Sequence, residues 1–259
     1  MKVAVIGAGN MGGAIAHALA KGTVIKTDDI YVSNPSWGKL QSLQEAHPEL
    51  HVMDSNIEAS KNVDIVIVAV KPWLIENVIN SMNLKPNQIL VSVAAGIDFN
   101  QLEHYAGIQM PMFRIVPNTA IVYMESMTLI AARYTTMEQD KLIVDMFNEM
   151  GLALLVPESQ IPATTALASC GIAFVLKYIQ ASMQAGVEMG IYPKAAREMI
   201  AQSVKGAAEL ILNNPETHPA VEIDKVTTPG GITIKGINEL EHEGFTSAVI
   251  KAMKTCNMK

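Results

Sequence analysis

Two stretches of the 259-residue chain carry residue types that could do chemistry. Near the end, Val226-Thr227-Thr228-Pro229-Gly230-Gly231-Ile232-Thr233 packs hydroxyls, a proline and a glycine pair together. The glycines allow close backbone approach. The pattern predicts a helix over residues 234–243, with Thr233 placed to cap it, and the first amides of a helix have no internal partner. Hydroxyls beside free amides suit a small carboxylate. The same residues also make an ordinary capped loop, and this stretch alone leaves both readings open. Near the start, Gly7-Ala8-Gly9-Asn10-Met11-Gly12 is a G-x-G-x-x-G. In that pattern Gly7 makes a tight turn, Gly9 lets the backbone approach a pyrophosphate, and Gly12 lets a helix pack closely on a strand.

Other chemistries find no support. No G-x-S-x-G or H-E-x-x-H occurs, and the six histidines are scattered. Glu239, Glu241, His242 and Glu243 cluster in sequence but would not share one face of a helix, so a solvated charged surface is the expected reading. The 16 methionines are spread through helical stretches and suit core filling. A chain with a dinucleotide fingerprint and no acid–base triad or metal set must draw its chemistry from a cofactor.

The elements that must position these residues follow from pattern. Lys2–Ile6 is a short apolar run before the glycines, and 13–21 reads as a helix, which is the context the fingerprint requires. A second strand over 29–33 ends in Ser33, Asn34, Pro35 and Ser36. An NAD-selective site would carry Asp or Glu there for the ribose diol. Hydroxyls and an amide, with Lys39 the nearest cation, favour NADPH, with NADH also admissible. Further strands are expected over 64–70, 88–93, 110–115, 127–132 and 152–156, with helices over 73–82 and 137–150. This alternation predicts an α/β Rossmann-type, doubly wound domain over 1–158. From 159 to 259 only helices are expected: 164–189, 193–212, 219–226, 234–243 and 245–258. A helical domain of that kind commonly buries its apolar faces against a second copy.

Bulk properties narrow the class. Hydrophobic residues make up 49% and charged residues 17%, and the net charge is -6 with no basic tract. Nucleic-acid binding is not expected. Cys170 and Cys256 have no redox or metal spacing and are expected as free thiols in the cytoplasm. The N-terminal apolar run loosely mimics a signal peptide, but Asn10 and the glycines interrupt it. Residues 159–176 lack charge yet contain Pro162 and several Ser and Thr, and read as a buried helix with its lead-in, not a membrane span.

These pieces together resemble the pyrroline-5-carboxylate reductase family over nearly the whole chain. The resemblance is carried by VIGAGNMGGAI at the N-terminus, VAVKP at Val68–Pro72, SVAAGI at Ser92–Ile97 and RIVPNTA at Arg114–Ala120. Its most specific part is VTTPGGITIKGINELEHEGF, Val226–Phe245. It implies a Rossmann domain, an all-α C-terminal dimerisation domain, and dimers or larger homo-oligomers. It implies NAD(P)H-dependent hydride transfer to the cyclic imine of a small imino acid, the last step of proline biosynthesis. Asn10 and Met11 would hold the pyrophosphate, Ser33, Asn34 and Ser36 would face the adenosine phosphate, and Asn56 the adenine-side ribose. Val70, Lys71, Pro72, Ala94, Gly96 and Asn118 would frame the nicotinamide half. Thr228 and Thr233, with amides of Gly230, Gly231 and Thr233, would hold the substrate carboxylate, and Glu216 would lie near the ring nitrogen. As catalytic residues the resemblance points to Thr233 and Glu216.

Three positions depart from the family pattern. The S-G-S-G-P-A-Y segment is Ala168-Ser169-Cys170-Gly171-Ile172-Ala173-Phe174, the proline after P-N-T is Ala120, and the arginine after the second strand is absent. Three other readings remain: a reductase of a different cyclic imine, a β-hydroxyacid-type dehydrogenase with Lys177 as its lysine, and a non-catalytic NADPH-binding paralogue.

Overall fold

The computed structural model describes residues 1–257, and the chain divides into two compact units, Met1–Ser169 and a second that begins at Cys170. The first holds strands β1 (Val3–Ile6), β2 (Ile30–Ser33), β3 (His51–Met53), β4 (Ile65–Val68), β5 (Ile89–Ser92), β6 (Met112–Val116), β7 (Ser126–Arg133) and β8 (Gly151–Leu155). They form one sheet in the order β3-β2-β1-β4-β5-β6-β7-β8. The first six run parallel to one another, β7 is antiparallel to β6, and β8 is parallel to β7. The antiparallel step has a simple cause. The connection 117–125 is too short for the crossover that a parallel partner needs.

Helices α1 (Asn10–Lys21), α2 (Trp37–Ala46), α3 (Asn56–Ser60), α4 (Ile75–Ser81), α5 (Phe99–Ala106) and α6 (Met137–Asn148) cover the sheet. Strands covered on both faces need apolar residues at every position, and β1 and β4 are fully buried runs of that kind. Alternation then sorts them. Val3 and Val5 pack with Ile15 and Leu19 of α1 and Phe147 of α6. Ala4 and Ile6 join Ile75 and Ile79 of α4 and Phe99 of α5 on the other face. The first unit closes with α7 (Ile161–Thr165) and most of a π-helical turn, Ala166–Cys170.

In the second unit the described residues are helical: α8 (Gly171–Glu188), α9 (Pro193–Leu212), α10 (Pro219–Val226), α11 (Ile232–His242) and α12 (Phe245–Cys256). At Gly186 of α8 a Cβ would stand 3.1 Å from the Ala196 Cβ of α9, so glycine lets these two helices approach closely. Among the described residues, Ala196 is the one buried apolar side chain of this unit, while Leu176, Met189, Leu212 and Phe245 are exposed.

Several expectations need correction. β3 is absent from the sequence reading, because His51-Val52-Met53 is short and only partly buried. The helix expected over 164–189 is broken by the π-turn. Residues 159–176 are not a buried helix: the 31-residue span Glu158–Glu188 is long and apolar enough to cross a membrane by length and composition, with only 17% of its most apolar window buried. Finally, α11 starts at Ile232, two residues earlier than expected. Its N-cap is Gly231, with no side-chain cap hydrogen bond, so Thr233 lies inside the first turn and does not cap it. The expected end of the last helix, Met258, lies outside the described residues.

Candidate functional site

The strand order reverses between β1 and β4, because β2 pairs on one side of β1 and β4 on the other. At such a switch point the loops after the two strands diverge and leave a crevice at the carboxyl ends of the strands. A cleft of about 620 Å³ lies there. Its floor is the glycine turn. Gly7 has φ +100°, its N–H donates to the Ser33 carbonyl at 2.8 Å, and a Cβ on it would meet the Ala69 carbonyl oxygen at 2.8 Å. Gly12 is stricter, since a Cβ would fall 1.9 Å from the Gly7 oxygen. These two glycines hold α1 close against β1 and β4, and Gly12 does so from behind, without lining the cleft. Gly9 is different: it lines the cleft and a Cβ there would meet nothing within 4 Å. The space a side chain would fill is left to a ligand. Gly9 is also the N-cap of α1 and carries no side-chain cap bond, so the first amides of α1 are open to an anion.

Around that floor the structure gathers most of the expected cofactor residues: Gly7, Gly9, Asn10 and Met11 on the glycine loop, Asn34 after β2, Asn56 at the start of α3, and Val70, Lys71, Pro72 and Ala94 beyond β4 and β5. Pro35, Lys39, Ala69 and Val93 line it too. Lys39 and Lys71 are the charged residues of the lining, which carries no carboxylate. A cleft with two cations and no acid, in a chain of net charge -6, suits a phosphorylated ligand. The group that the fingerprint implies, a dinucleotide, therefore fits the residues present.

Five expected residues stand elsewhere. Ser33 is fully buried, is not among the lining residues, and its hydroxyl donates to Asn56 Oδ1 at 2.7 Å. Ser36 and Gly96 are exposed but not among the lining residues, as Gly12 is not. Asn118 is buried outside the cleft. Its Oδ1 accepts the Ala120 N–H at 3.0 Å and its Nδ2 donates to the Ala168 carbonyl in the π-turn at 3.4 Å. The arginine of the R-x-x-P-N-T segment, Arg114, pairs with Glu158 at 2.6 Å and holds the end of the first unit together.

In the second unit, the stretch from Thr228 to Thr233 joins α10 to α11. Gly230 has φ +75°, a conformation that favours glycine. The Gly231 N–H donates to the Thr228 carbonyl at 2.9 Å, and a Cβ on Gly231 would meet Thr228 Oγ1 at 2.7 Å. This corrects one expectation: the Gly231 amide is already used inside the turn and is not a free donor. The free amides are those of the first turn of α11, and the exposed Thr233 hydroxyl stands among them. Glu216 is exposed in the segment between α9 and α10. Lys177, the lysine of the dehydrogenase alternative, is exposed and donates to Gln180 at 3.0 Å. Among the described residues no three His, Cys, Asp or Glu side chains converge as metal ligands.

Comparison with known proteins agrees with both halves. Residues 158–259 match the family described as pyrroline-5-carboxylate reductase dimerisation, and residues 2–96 match the family described as NADP oxidoreductase, coenzyme F420-dependent. Pyrroline-5-carboxylate reductase 2 of Dictyostelium discoideum is 33% identical, covering 97% of this chain and 89% of that protein. Pyrroline-5-carboxylate reductase 1 of the same organism is 37% identical over 99% of this chain, which spans about half, 49%, of that longer protein. The crystal structure of Plasmodium falciparum pyrroline carboxylate reductase with NADP bound superposes with a TM-score of 0.88 at 27% identity, covering 99% and 95% of the two chains. The apolar surface left open on α8 to α12 thus belongs to a dimerisation domain, which makes a homo-oligomer the state in which that surface is covered. With a cleft that fits a dinucleotide in its first unit, a dimerisation-family match over residues 158–259 and a third of its residues shared with a relative of similar length, the chain belongs to the pyrroline-5-carboxylate reductase family, NAD(P)H-dependent oxidoreductases that act on a C=N bond.

Proposed function

We propose that the chain reduces Δ1-pyrroline-5-carboxylate to L-proline with NADPH, that the Thr228–Thr233 turn holds the substrate carboxylate, and that the first domain, residues 1–158, holds the cofactor. The observation that carries this reading is that one chain holds both an acid-free cleft, in its first unit, and a hydroxyl- and amide-rich turn, in its second. When bound, the reduced nicotinamide supplies a hydride. The chain's residues do the rest. Gly9 leaves room for the pyrophosphate, Asn56 is oriented for the adenine-side ribose by Ser33, and Lys71, Pro72 and Ala94 frame the nicotinamide half. Thr228, Thr233 and the free amides of α11 bind the one charged group of a small ring and so fix its orientation. Orientation of that kind supplies on the order of several kcal/mol of barrier reduction. As hydride adds to the imine carbon, the C=N π bond breaks and its electron pair stays on nitrogen, which carries the proton in the product. A protonated imine is already a good acceptor, so a weak donor such as Glu216 or water suffices to keep the nitrogen protonated.

Two finer points accompany this reading. The homo-oligomer is built on dimers through the helical domain, residues 159–259. The enzyme works in the cytoplasm, where Cys170 and Cys256 stay as the free thiols seen here. The test is NADPH oxidation by the full chain with pyrroline-5-carboxylate, with proline identified as product. A folded protein that oxidises neither NADPH nor NADH with this substrate would refute it.

A further inference from the structure

We infer that Lys39 is the residue that selects the phosphorylated cofactor, by pairing its ammonium with the adenosine 2′-phosphate at the β2 side of the cleft. The inference deepens the reductase reading and rests on it. Two of the three side chains after β2 that sequence alone offers for this task, Ser33 and Asn34, are spent elsewhere. Ser33 is fully buried and its hydroxyl is given to Asn56 Oδ1 at 2.7 Å. Asn34 is 7% exposed with both ends of its amide engaged: Oδ1 accepts the Ala8 N–H at 3.0 Å, and Nδ2 donates to the Ser36 carbonyl at 3.1 Å. Pro35 has no N–H to give. These contacts build the loop and leave Ser36, exposed but not among the lining residues, whose hydroxyl carries no charge.

Lys39 lines the same cleft beside Asn34 and Pro35. It is exposed and, among the described residues, makes no ion pair. The other cation of the cleft, Lys71, directly follows the β4 side with Val70 and precedes Pro72, so the β2 side has one cation of its own. No carboxylate lines the cleft to accept hydrogen bonds from a free ribose diol or to repel a phosphate. Discrimination here therefore comes from attraction to a dianion, through a compact point charge on a flexible stem. The arginine that the family places after the second strand is missing, with Pro35 and Ser36 in its neighbourhood, and Lys39 takes over its charge from the first turn of α2.

The test is calorimetric titration of the full chain with NADPH and with NADH, at low and high salt, for the wild type, Lys39→Gln, Lys39→Arg and Lys71→Gln. Lys39→Gln should weaken NADPH binding about tenfold and leave NADH within about twofold, and Lys39→Arg should restore most of the loss. The wild-type preference for NADPH should shrink at high salt, and Lys71→Gln should not change the NADPH-to-NADH ratio. The inference is overturned if Lys39→Gln weakens both cofactors in parallel, if it leaves NADPH unchanged, or if the wild type binds NADPH no more tightly than NADH. Binding is read without substrate. A Lys39-dependent preference in a chain that does not turn over pyrroline-5-carboxylate would therefore sink the reductase reading and keep this one, while turnover without that dependence would do the reverse.

Discussion

Phe113 and Leu176 are large apolar side chains from the two units, and they meet opposite fates. Phe113, on β6, is fully buried between the sheet and its helices, whereas Leu176, on α8, is 57% exposed. The contrast extends to their neighbours. The first unit fills two apolar clusters, one on each face of its sheet, while the second buries little beyond the Gly186–Ala196 contact. A sheet can complete its core within one chain because helices cover both faces. Helices with long apolar stripes and no sheet must find a partner surface, and the dimerisation family matched by this half says which kind. The first unit is therefore stable by its own packing, and the second by association.

The largest test of that contrast is Phe113→Ala, which should cost about 3–5 kcal/mol in urea unfolding whatever the protein concentration. Replacing both Val175 and Leu176 by Lys should instead leave the first unit's unfolding unchanged and move the sedimenting species towards monomer. An unchanged mass would mean that another face holds the copies together. A functional version of the contrast comes next. Gly9→Val adds a side chain where nothing stands within 4 Å, so the variant should fold and lose NADPH binding by at least about a hundredfold. In the second unit, Thr233→Val should raise the KM for pyrroline-5-carboxylate about tenfold with NADPH affinity nearly unchanged, since it removes one hydrogen bond to a charged group. If instead NADPH affinity falls and KM holds, the division of labour between the units is wrong.

How far the sequence foretold this depends on whether the cause was local. The buried parallel strands were legible because continuous apolar runs such as Ile65–Val68 have few other uses, and the glycine fingerprint because each glycine meets a local steric demand. The engagement of Ser33 was not legible because its hydroxyl's partner, Asn56, lies 23 residues away in sequence, beyond the short β3 that pattern did not reveal. The start of α11 was misplaced because Thr233 is a good cap residue by type, yet the turn that accommodates Gly230 at positive φ begins the helix at Ile232. That the helical half would meet a second copy was anticipated, but which stretch stays open was not: residues 159–176 read as buried, because a stripe that meets a second copy and one that meets its own core have the same period.

The smallest expected effect lies in the first unit, at two residues that do not line the cleft. His47 Nε2 and His17 Nδ1 stand 2.7 Å apart where α2 ends beside α1. Partial burial, and after it the charge of Lys21, holds both below the ordinary histidine value of 6.5. The folded chain therefore prefers this pair neutral, and the unfolded chain takes up the protons first. Stability is full well above pH 6.5 and is lost as pH falls through that value towards the lowered folded ones. His47→Gln should shrink the drop in Tm between about pH 8 and about pH 5.5 by about 2 °C.

The central claim is that this chain moves a hydride from NADPH onto an imine whose carboxylate it holds. It is tested most directly by turning over pyrroline-5-carboxylate with NADPH deuterated at the transferring position and analysing the product by mass spectrometry. The account predicts proline carrying one deuterium on the ring carbon that was doubly bonded to nitrogen, and a much lower yield at limiting substrate with Thr233→Val. Unlabelled proline, or no proline from a folded protein that binds NADPH, would contradict it.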